Sequence, residues 1–373
     1  MAGLLGLWVT ACSGYGTPTG QGGEGGTGGE GLYGPGGPGP GGAGAGAGSG
    51  GSTSTSGSTD TSTGQGGGTG GTGGGGPFVL DPGQYDCTAS KPPARVNPIP
   101  LACTTDPSCP TTLLSGSRAA GGPLGVIAPP NTLAAARAAI VMGLDYIDTD
   151  PRATKDDVLV NLQHPELSMT TNGAGLVSDL TLAQVQSFTV FADDVLGDPL
   201  PGDFTCETVP TLEQVLATAK DKLAVLVDAD TTDRVDLLVE AIQKTNMLEQ
   251  AIFDSASLAK IDEALMLEPD LRISVRVTSK STLQAALDHL ADHPPVLVQI
   301  ADGASPVVLT PAIHTAGHRA LQNVFGADAS ATFDGVEGAY DQTLVWGIDV
   351  LQSSRPDLAL VALDRWPPPP QPE

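Results

Sequence analysis

From residue 111 onward the chain alternates two kinds of segment, and that alternation limits the folds open to it. Nine short runs read as strands: 111–116, 145–150, 158–163, 223–229, 251–254, 272–277, 296–300, 320–325 and 348–352. Between most of them lie stretches with helical spacing, at 133–142, 211–221, 233–245, 257–267, 281–291 and 310–317. Strands that alternate with helices build a parallel sheet, because each parallel return needs a long crossover. The 151–157 link is too short for a crossover, so a hairpin there accounts for the ninth strand. Eight parallel strands are enough to close a barrel. No glycine fingerprint for a dinucleotide follows the first strand, which argues against a doubly wound nucleotide-binding sheet.

The folded part begins late. The chain has 50 glycines, concentrated with Ser, Thr and Pro in residues 13–76. Such a tract cannot bury a core and is expected to be a disordered tether with a reach on the order of 45 Å. Before it stands MAGLLGLWVTAC. The sequence Val9-Thr10-Ala11-Cys12 resembles a bacterial lipoprotein signal: an apolar run, small residues, then a Cys that receives lipid after cleavage. The resemblance implies that residues 1–12 are a signal and that Cys12 anchors an exported protein to a membrane, in the periplasm or on the cell surface. Basic residues are missing from the start, so a chance apolar start on a cytosolic protein is the alternative. The segment is too short to span a bilayer as a helix.

Four further cysteines, Cys87, Cys103, Cys109 and Cys206, suit two disulfides in an exported protein. Three connectivities are open. Residues 77–110, rich in Cys and Pro, read as an irregular lead-in, and the tail 366–373 (WPPPPQPE) as an extended end. The net charge of −25 excludes nucleic acid as a partner and argues against docking on anionic lipid.

The chemistry concentrates in residues 129–181. An Ala-rich helix leads into a strand carrying Asp148 and Asp150. Side chains two apart on a strand share a face, so these carboxylates converge. A charged turn (Arg152, Lys155, Asp156, Asp157), the run VLVNLQ and the loop TTNG follow. Converging carboxylates at a strand end suit a hard cation, Ca²⁺ or Mg²⁺. The alternative is that they cap strand ends beside solvent.

The same run resembles the glycerophosphodiester phosphodiesterase family, metal-dependent enzymes with an α/β TIM-type (β/α)8 barrel. The family reads Pro-Glu-Asn-Thr, a helix, Glu-x-Asp, a Lys-Asp-Gly turn, a strand ending His-Asp, then Thr-Thr-Asn-Gly. The likeness continues through PTLEQVL at 210–216, LAVLVDAD at 223–230, IFDSASLAKIDEALMLEPDLRISVRV at 252–277 and GIDVLQSSRPDLALVAL at 347–363. It implies one barrel over 111–365 and places metal ligands at Asp148, Asp150 and Asp228. The site chemistry departs from the family. Its first-strand His-Arg-Gly is Ser117-Arg118-Ala119 here, its second His is Gln163, its Lys after the fourth-strand carboxylate is Asp230, and its Glu is Pro130. Neither Ser nor Gln titrates near neutrality. The resemblance therefore implies a weak or inactive member of a phosphoric diester hydrolase family, with a glycerophosphodiester-like small molecule as its ligand. Two alternatives stand beside it. One is a pseudoenzyme that binds a ligand or protein at the barrel mouth. The other is a hydrolase that uses His164, which a regular strand would turn away from the site and a bulge would turn inward. His289, His293, His314 and His318 read as surface residues. The only aromatic near the family's late-strand aromatic is Phe325.

Overall fold

The computed structural model describes residues 80–367. The Cys12 signal, the 13–76 tract and the end of the proline-rich tail lie outside the described residues. Eight parallel strands close into a barrel in the order β1-β10-β9-β8-β7-β6-β5-β2. They are β1 (Leu113–Gly116), β2 (Tyr146–Thr149), β5 (Ala224–Asp228), β6 (Ala251–Ser255), β7 (Arg272–Val277), β8 (Leu297–Ile300), β9 (Ala320–Asn323) and β10 (Val350–Ser353). The remaining two, β3 (Pro151–Ala153) and β4 (Leu159–Asn161), pair antiparallel as a separate hairpin. This is the hairpin expected at the 151–157 link, although its first strand begins after Asp150.

Alternation along the strands decides what faces inward. Leu113, Tyr146, Ala224, Leu226, Ile252, Leu297, Leu321 and Val350 form a compact cluster inside the barrel. Their neighbours Leu114, Ile147, Val225, Phe253, Val298 and Leu351 belong to the larger core under the helices. Two residues beyond the inner apolar layer, toward the C-terminal strand ends, stand Ser115, Asp148, Asp228, Asp254, Gln299, Asn323 and Gln352. The period of two therefore sets a polar layer on an apolar floor.

The lead-in closes the opposite end. Ile99 packs against the inner cluster, and Tyr146 donates to the Thr104 carbonyl. Arg319, 2% exposed, donates to the carbonyls of Cys103 at 3.0 Å and Thr111 at 2.7 Å. Disulfides join Cys87 to Cys206 and Cys103 to Cys109, which selects one of the three open connectivities. The helix Leu133–Met142 is buried nearly all round, because the lead-in and the segment around Glu207 cover its outer side: Arg137 Nε donates to the Tyr85 carbonyl at 2.7 Å and Nη2 meets Glu207 at 2.6 Å. Its start is capped by Thr132, whose Oγ1 accepts from Ala135 N–H at 3.1 Å, and its end by Gly143 at φ 73°.

Several boundaries differ from expectation. The 145–150 strand stops at Thr149, because Asp150 N–H turns to Asn161 Oδ1 at 2.8 Å and its carbonyl accepts from Leu162 N–H at 2.9 Å. The 158–163 strand keeps only 159–161, so Gln163 and His164 stand in irregular chain. Phe325 begins a short helix (Phe325–Ala329) instead of ending a strand. The turn is set by Asn323, whose Oδ1 accepts from Phe325 N–H at 2.9 Å. The 310–317 helix starts earlier, at Pro306, where proline lacks only an N–H that would be unpaired anyway.

Candidate active site

Two loops and the C-terminal ends of the strands hold the residues singled out by sequence. The first leaves β1 through Ser117, Arg118 and Ala119. Gly116 is required here, since a Cβ on it would lie 1.9 Å from the Ala119 carbonyl oxygen. Arg118 and Ala119 take φ of 50° and 65°, the left-handed region that glycine prefers. The family's glycine thus falls on Ala119, where the backbone calls for one. Ser117 is 8% exposed.

The second loop follows the hairpin. Gln163 Oε1 accepts from Arg118 Nε at 2.9 Å. Arg152 holds this loop in place, with Nε 2.9 Å from the Leu162 carbonyl and Nη1 3.1 Å from that of Thr231. His164 is half-buried beside both arginines. Burial first, then the charges of Arg118 and Arg152, push its imidazole below the ordinary value, so it is neutral at pH 7. The excursion between β2 and the helix Leu212–Ala219 has its own small core of Val160, Leu162, Leu167, Val177, Val185 and Val209. Thus Gln163 and His164 rest on packed structure.

The carboxylates sit in the polar layer. Asp148 is pushed well above the usual carboxylate range by burial, then by the charges of Asp150 and Asp228. Asp150, 2% exposed, accepts from Asn131 Nδ2 at 2.8 Å. Asp228 is raised by burial, with Arg276 pulling the other way. Asp254 is raised to about 6 by burial, again opposed by Arg276.

Arg276, near the end of β7, was not among the residues flagged by sequence, and it dominates this layer. Its Nη2 lies 2.8 Å from Asp228 Oδ1 and also bonds Asp254 Oδ2. Its Nε is 2.7 Å from Asp254 Oδ2 and 3.1 Å from Gln299 Oε1, and Nη1 is 3.3 Å from Asp230 Oδ2. Asp230 is held further by Ser255 Oγ at 2.6 Å and Ala256 N–H at 2.8 Å. The signal was present in RISVRV: Ile273, Val275 and Val277 join the core under the helices, so Arg272, Ser274 and Arg276 fall on the inward register.

A divalent ion, as the resemblance implies, does not fit these side chains as they stand. Asp228 is bound to a guanidinium and Asp150 to an amide, and no group of three or more His, Cys, Asp or Glu among the described residues could hold a metal ion. The histidines other than His164 are elsewhere. His289 meets Asp262 at 2.8 Å between outer helices, His314 meets Asp349 at 2.7 Å before β10, and His318 meets the Pro295 carbonyl at 3.0 Å before β8. His293 is exposed in the loop that leads to β8, at the N-terminal face.

Known proteins share this frame. A phosphodiesterase structure from Parabacteroides distasonis, described as a glycerophosphoryl diester phosphodiesterase, superposes with a TM-score of 0.59 at 21% identity, covering 70% of this chain and 91% of its own. A phosphodiesterase from Oleispira antarctica, in complex with the product sn-glycerol-3-phosphate, gives 0.55 at 20% identity over 68% of this chain and 97% of its own. In sequence, the glycerophosphodiester phosphodiesterase of Caldanaerobacter subterraneus subsp. tengcongensis is 30% identical over 154 residues, 39% of this chain and 60% of that protein. A putative glycerophosphodiester phosphodiesterase of Bacillus subtilis, YhdW, is 37% identical over 101 residues, 27% of this chain and 39% of that protein. The chain therefore spans less than two thirds of the length of these curated relatives. The family model for glycerophosphoryl diester phosphodiesterases covers residues 119–326, from the left-handed turn after β1 to the helix after β9. With the closed barrel and the ordered motifs at its mouth, that match makes this chain a member of the glycerophosphoryl diester phosphodiesterase family.

Proposed function

We propose that this barrel binds a glycerophosphodiester or a related phosphate monoester at its mouth and hydrolyses it weakly or not at all. The observation that carries this reading is the pair Ser117 and Gln163 at the positions of the family's two imidazoles, with the Gln163 amide committed to Arg118. Hydrolysis of a phosphodiester by an acid–base pair needs one group to take a proton from the nucleophile and another to deliver one to the leaving alkoxide. A hydroxyl and an amide do neither at neutral pH. Recognition is better preserved than chemistry. Arg118 keeps its guanidinium in the loop after β1, beside Gln163 and His164, and its two terminal nitrogens have no partner among the described residues, so they are available to a phosphate oxygen. The Oleispira antarctica relative holds a phosphate monoester on the same fold, which supports that ligand class.

The test is a paired measurement on the purified chain. Binding of sn-glycerol-3-phosphate is followed by calorimetry, and choline release from glycerophosphocholine by a coupled assay. Saturable binding without turnover supports the reading; robust turnover rejects it. A second reading has one observation in its favour: His164 is neutral and beside Arg118, the state a general base needs. Turnover that disappears on His164→Ala would establish it. The lipobox-like Cys12 supports an exported, membrane-anchored protein, and fractionation of the wild type against Cys12→Ala tests this. Equal solubility of the two rejects the anchor.

A further inference from the structure

We propose that Arg276 is a built-in cation that holds the place of a divalent ion among Asp228, Asp230 and Asp254, making this barrel mouth independent of metal.

Each nitrogen of the guanidinium is used. Nη2 bridges Asp228 and Asp254, Nε bonds Asp254 and Gln299, and Nη1 reaches Asp230. Three carboxylates from two successive strand ends and their loop thus surround one positive charge, as they would surround an ion. The arrangement is buried: side-chain exposure is 17% for Arg276, 13% for Asp228, 17% for Asp230 and 5% for Asp254. Carboxylates this deep need a counter-charge, and removing the partner of a buried ion pair leaves an uncompensated charge at a large cost. Arginine is suited to that task, because it stays protonated at any working pH and its fork matches carboxylate geometry.

The substitutions relative to the family agree with this reading. The family places a lysine after its fourth-strand carboxylate, and this chain has Asp230 there. The loss of that cation and the gain of an acid are offset by Arg276 from the adjacent side of the barrel. A tethered guanidinium is present at a high local concentration and cannot be chelated. Any incoming Ca²⁺ or Mg²⁺ must first break its contacts. Outside the cage, Asp148 and Asp150 supply two carboxylates, and one oxygen of Asp150 is taken by Asn131. Asp254 Oδ1 is buried without a hydrogen-bond partner among the described residues, so removing the guanidinium would expose both oxygens of that carboxylate to an ion. This inference holds whether or not the barrel hydrolyses anything, and its test reads metal binding alone.

Calcium binding is measured by calorimetry, and Tm by thermal melting in millimolar Ca²⁺, Mg²⁺ or EDTA, for the wild type, Arg276→Met and Arg276→Lys. The wild type should show no stoichiometric binding and the same Tm in all three solutions. Arg276→Met, which removes charge while keeping length, should bind Ca²⁺ at least about tenfold more tightly than the wild type and melt higher with it. Arg276→Lys should stay as indifferent as the wild type, because it retains a tethered cation. One tightly bound Ca²⁺ per wild-type chain with a raised Tm would overturn the proposal. So would an Arg276→Met protein that folds yet binds no more Ca²⁺ than the wild type. Should Arg276→Met fold only when Ca²⁺ is supplied, the proposal is supported by that dependence. Should it fold under no condition, the wild-type titration and the melting of Arg276→Lys decide.

Discussion

Gln163 accepts a hydrogen bond from Arg118 at 2.9 Å, joining the loop after β1 to the loop after the hairpin. The two positions that should exchange protons with a substrate are thus a buried hydroxyl and an amide already engaged with the local cation. The contact ties the two loops together and occupies the Gln163 amide oxygen. It orients Arg118, whose terminal nitrogens have no hydrogen-bond partner among the described residues.

This arrangement predicts the result of restoring the imidazoles. Ser117→His with Gln163→His should raise glycerophosphocholine hydrolysis by at least about 10²-fold over the wild type if the rest of the frame is competent, since one acid–base group contributes typically 10²–10⁴-fold. Each single change should do little, because the two groups act as a unit. Steady-state choline release by the four proteins checks this. A double variant no faster than either single would show that the frame itself has lost the reaction.

The fold was legible because the strands and helices obey simple periods. Eight apolar runs separated by crossovers could only make a parallel sheet, and the short 151–157 link marked the hairpin. The inward register of Asp148 and Asp228 followed from strand alternation. What stayed hidden was long-range. Arg276 carries no local mark beyond its inward register, and its three acidic partners come from β5, β6 and the turn after β5. Asp150 leaves its strand because Asn161, eleven residues later, captures its N–H. Cys87 and Cys206 lie 119 residues apart, and no spacing rule could pair them.

Asp230→Lys should destabilise the protein. In the family a lysine stands there, but here Arg276 Nη1 is 3.3 Å from the Asp230 carboxylate. The change removes an acceptor for Ser255 and Ala256 and sets two cations side by side. A loss of about 3 kcal/mol or more is expected, the range for breaking a buried charge network. Urea unfolding measures it, and a variant as stable as the wild type would mean the network contributes nothing.

Ala119→Gly should stabilise the chain by about 0.5–1 kcal/mol. Ala119 holds φ at 65°, and a non-glycine residue in the left-handed region costs about 1–2 kcal/mol. Part of that gain is offset by the greater freedom of glycine in the unfolded chain. Denaturant midpoints compare the two, and a lower midpoint for the glycine variant would show that the buried methyl group outweighs the strain.

The two disulfides should differ in worth. Cys87–Cys206 closes a loop of 119 residues and Cys103–Cys109 one of 6. Loop-closure entropy gives about 5 kcal/mol for the first and about 2 kcal/mol for the second. Cys87→Ser with Cys206→Ser should therefore lower stability more than Cys103→Ser with Cys109→Ser. Equal losses would point to local packing in place of chain entropy.

Asp328 provides a test by pH. It is fully buried in the short helix after β9 and accepts from Tyr340 Oη at 2.7 Å, Ser353 Oγ at 2.6 Å and Ser354 N–H at 2.7 Å, with burial raising its pKa from 3.8 to about 6. A carboxyl whose pKa is raised on folding stabilises the folded state most below its unfolded value. That contribution is lost as pH rises through the folded one. A shift of this size corresponds to about 3 kcal/mol, falling away between about pH 4 and about pH 6. Asp328→Asn should abolish this component. Its Oδ1 can accept from Ser354 N–H, while its Nδ2 donates to the Tyr340 and Ser353 hydroxyls, which accept as readily as they donate. The asparagine variant should thus be comparable to the wild type near pH 4 and more stable by up to about 3 kcal/mol near pH 7. Urea unfolding of both proteins across that range isolates Asp328 from the other raised carboxyls, such as Asp254, because those are common to the pair. A stability difference that stays constant with pH would show that Asp328 folds without a change in its affinity for a proton.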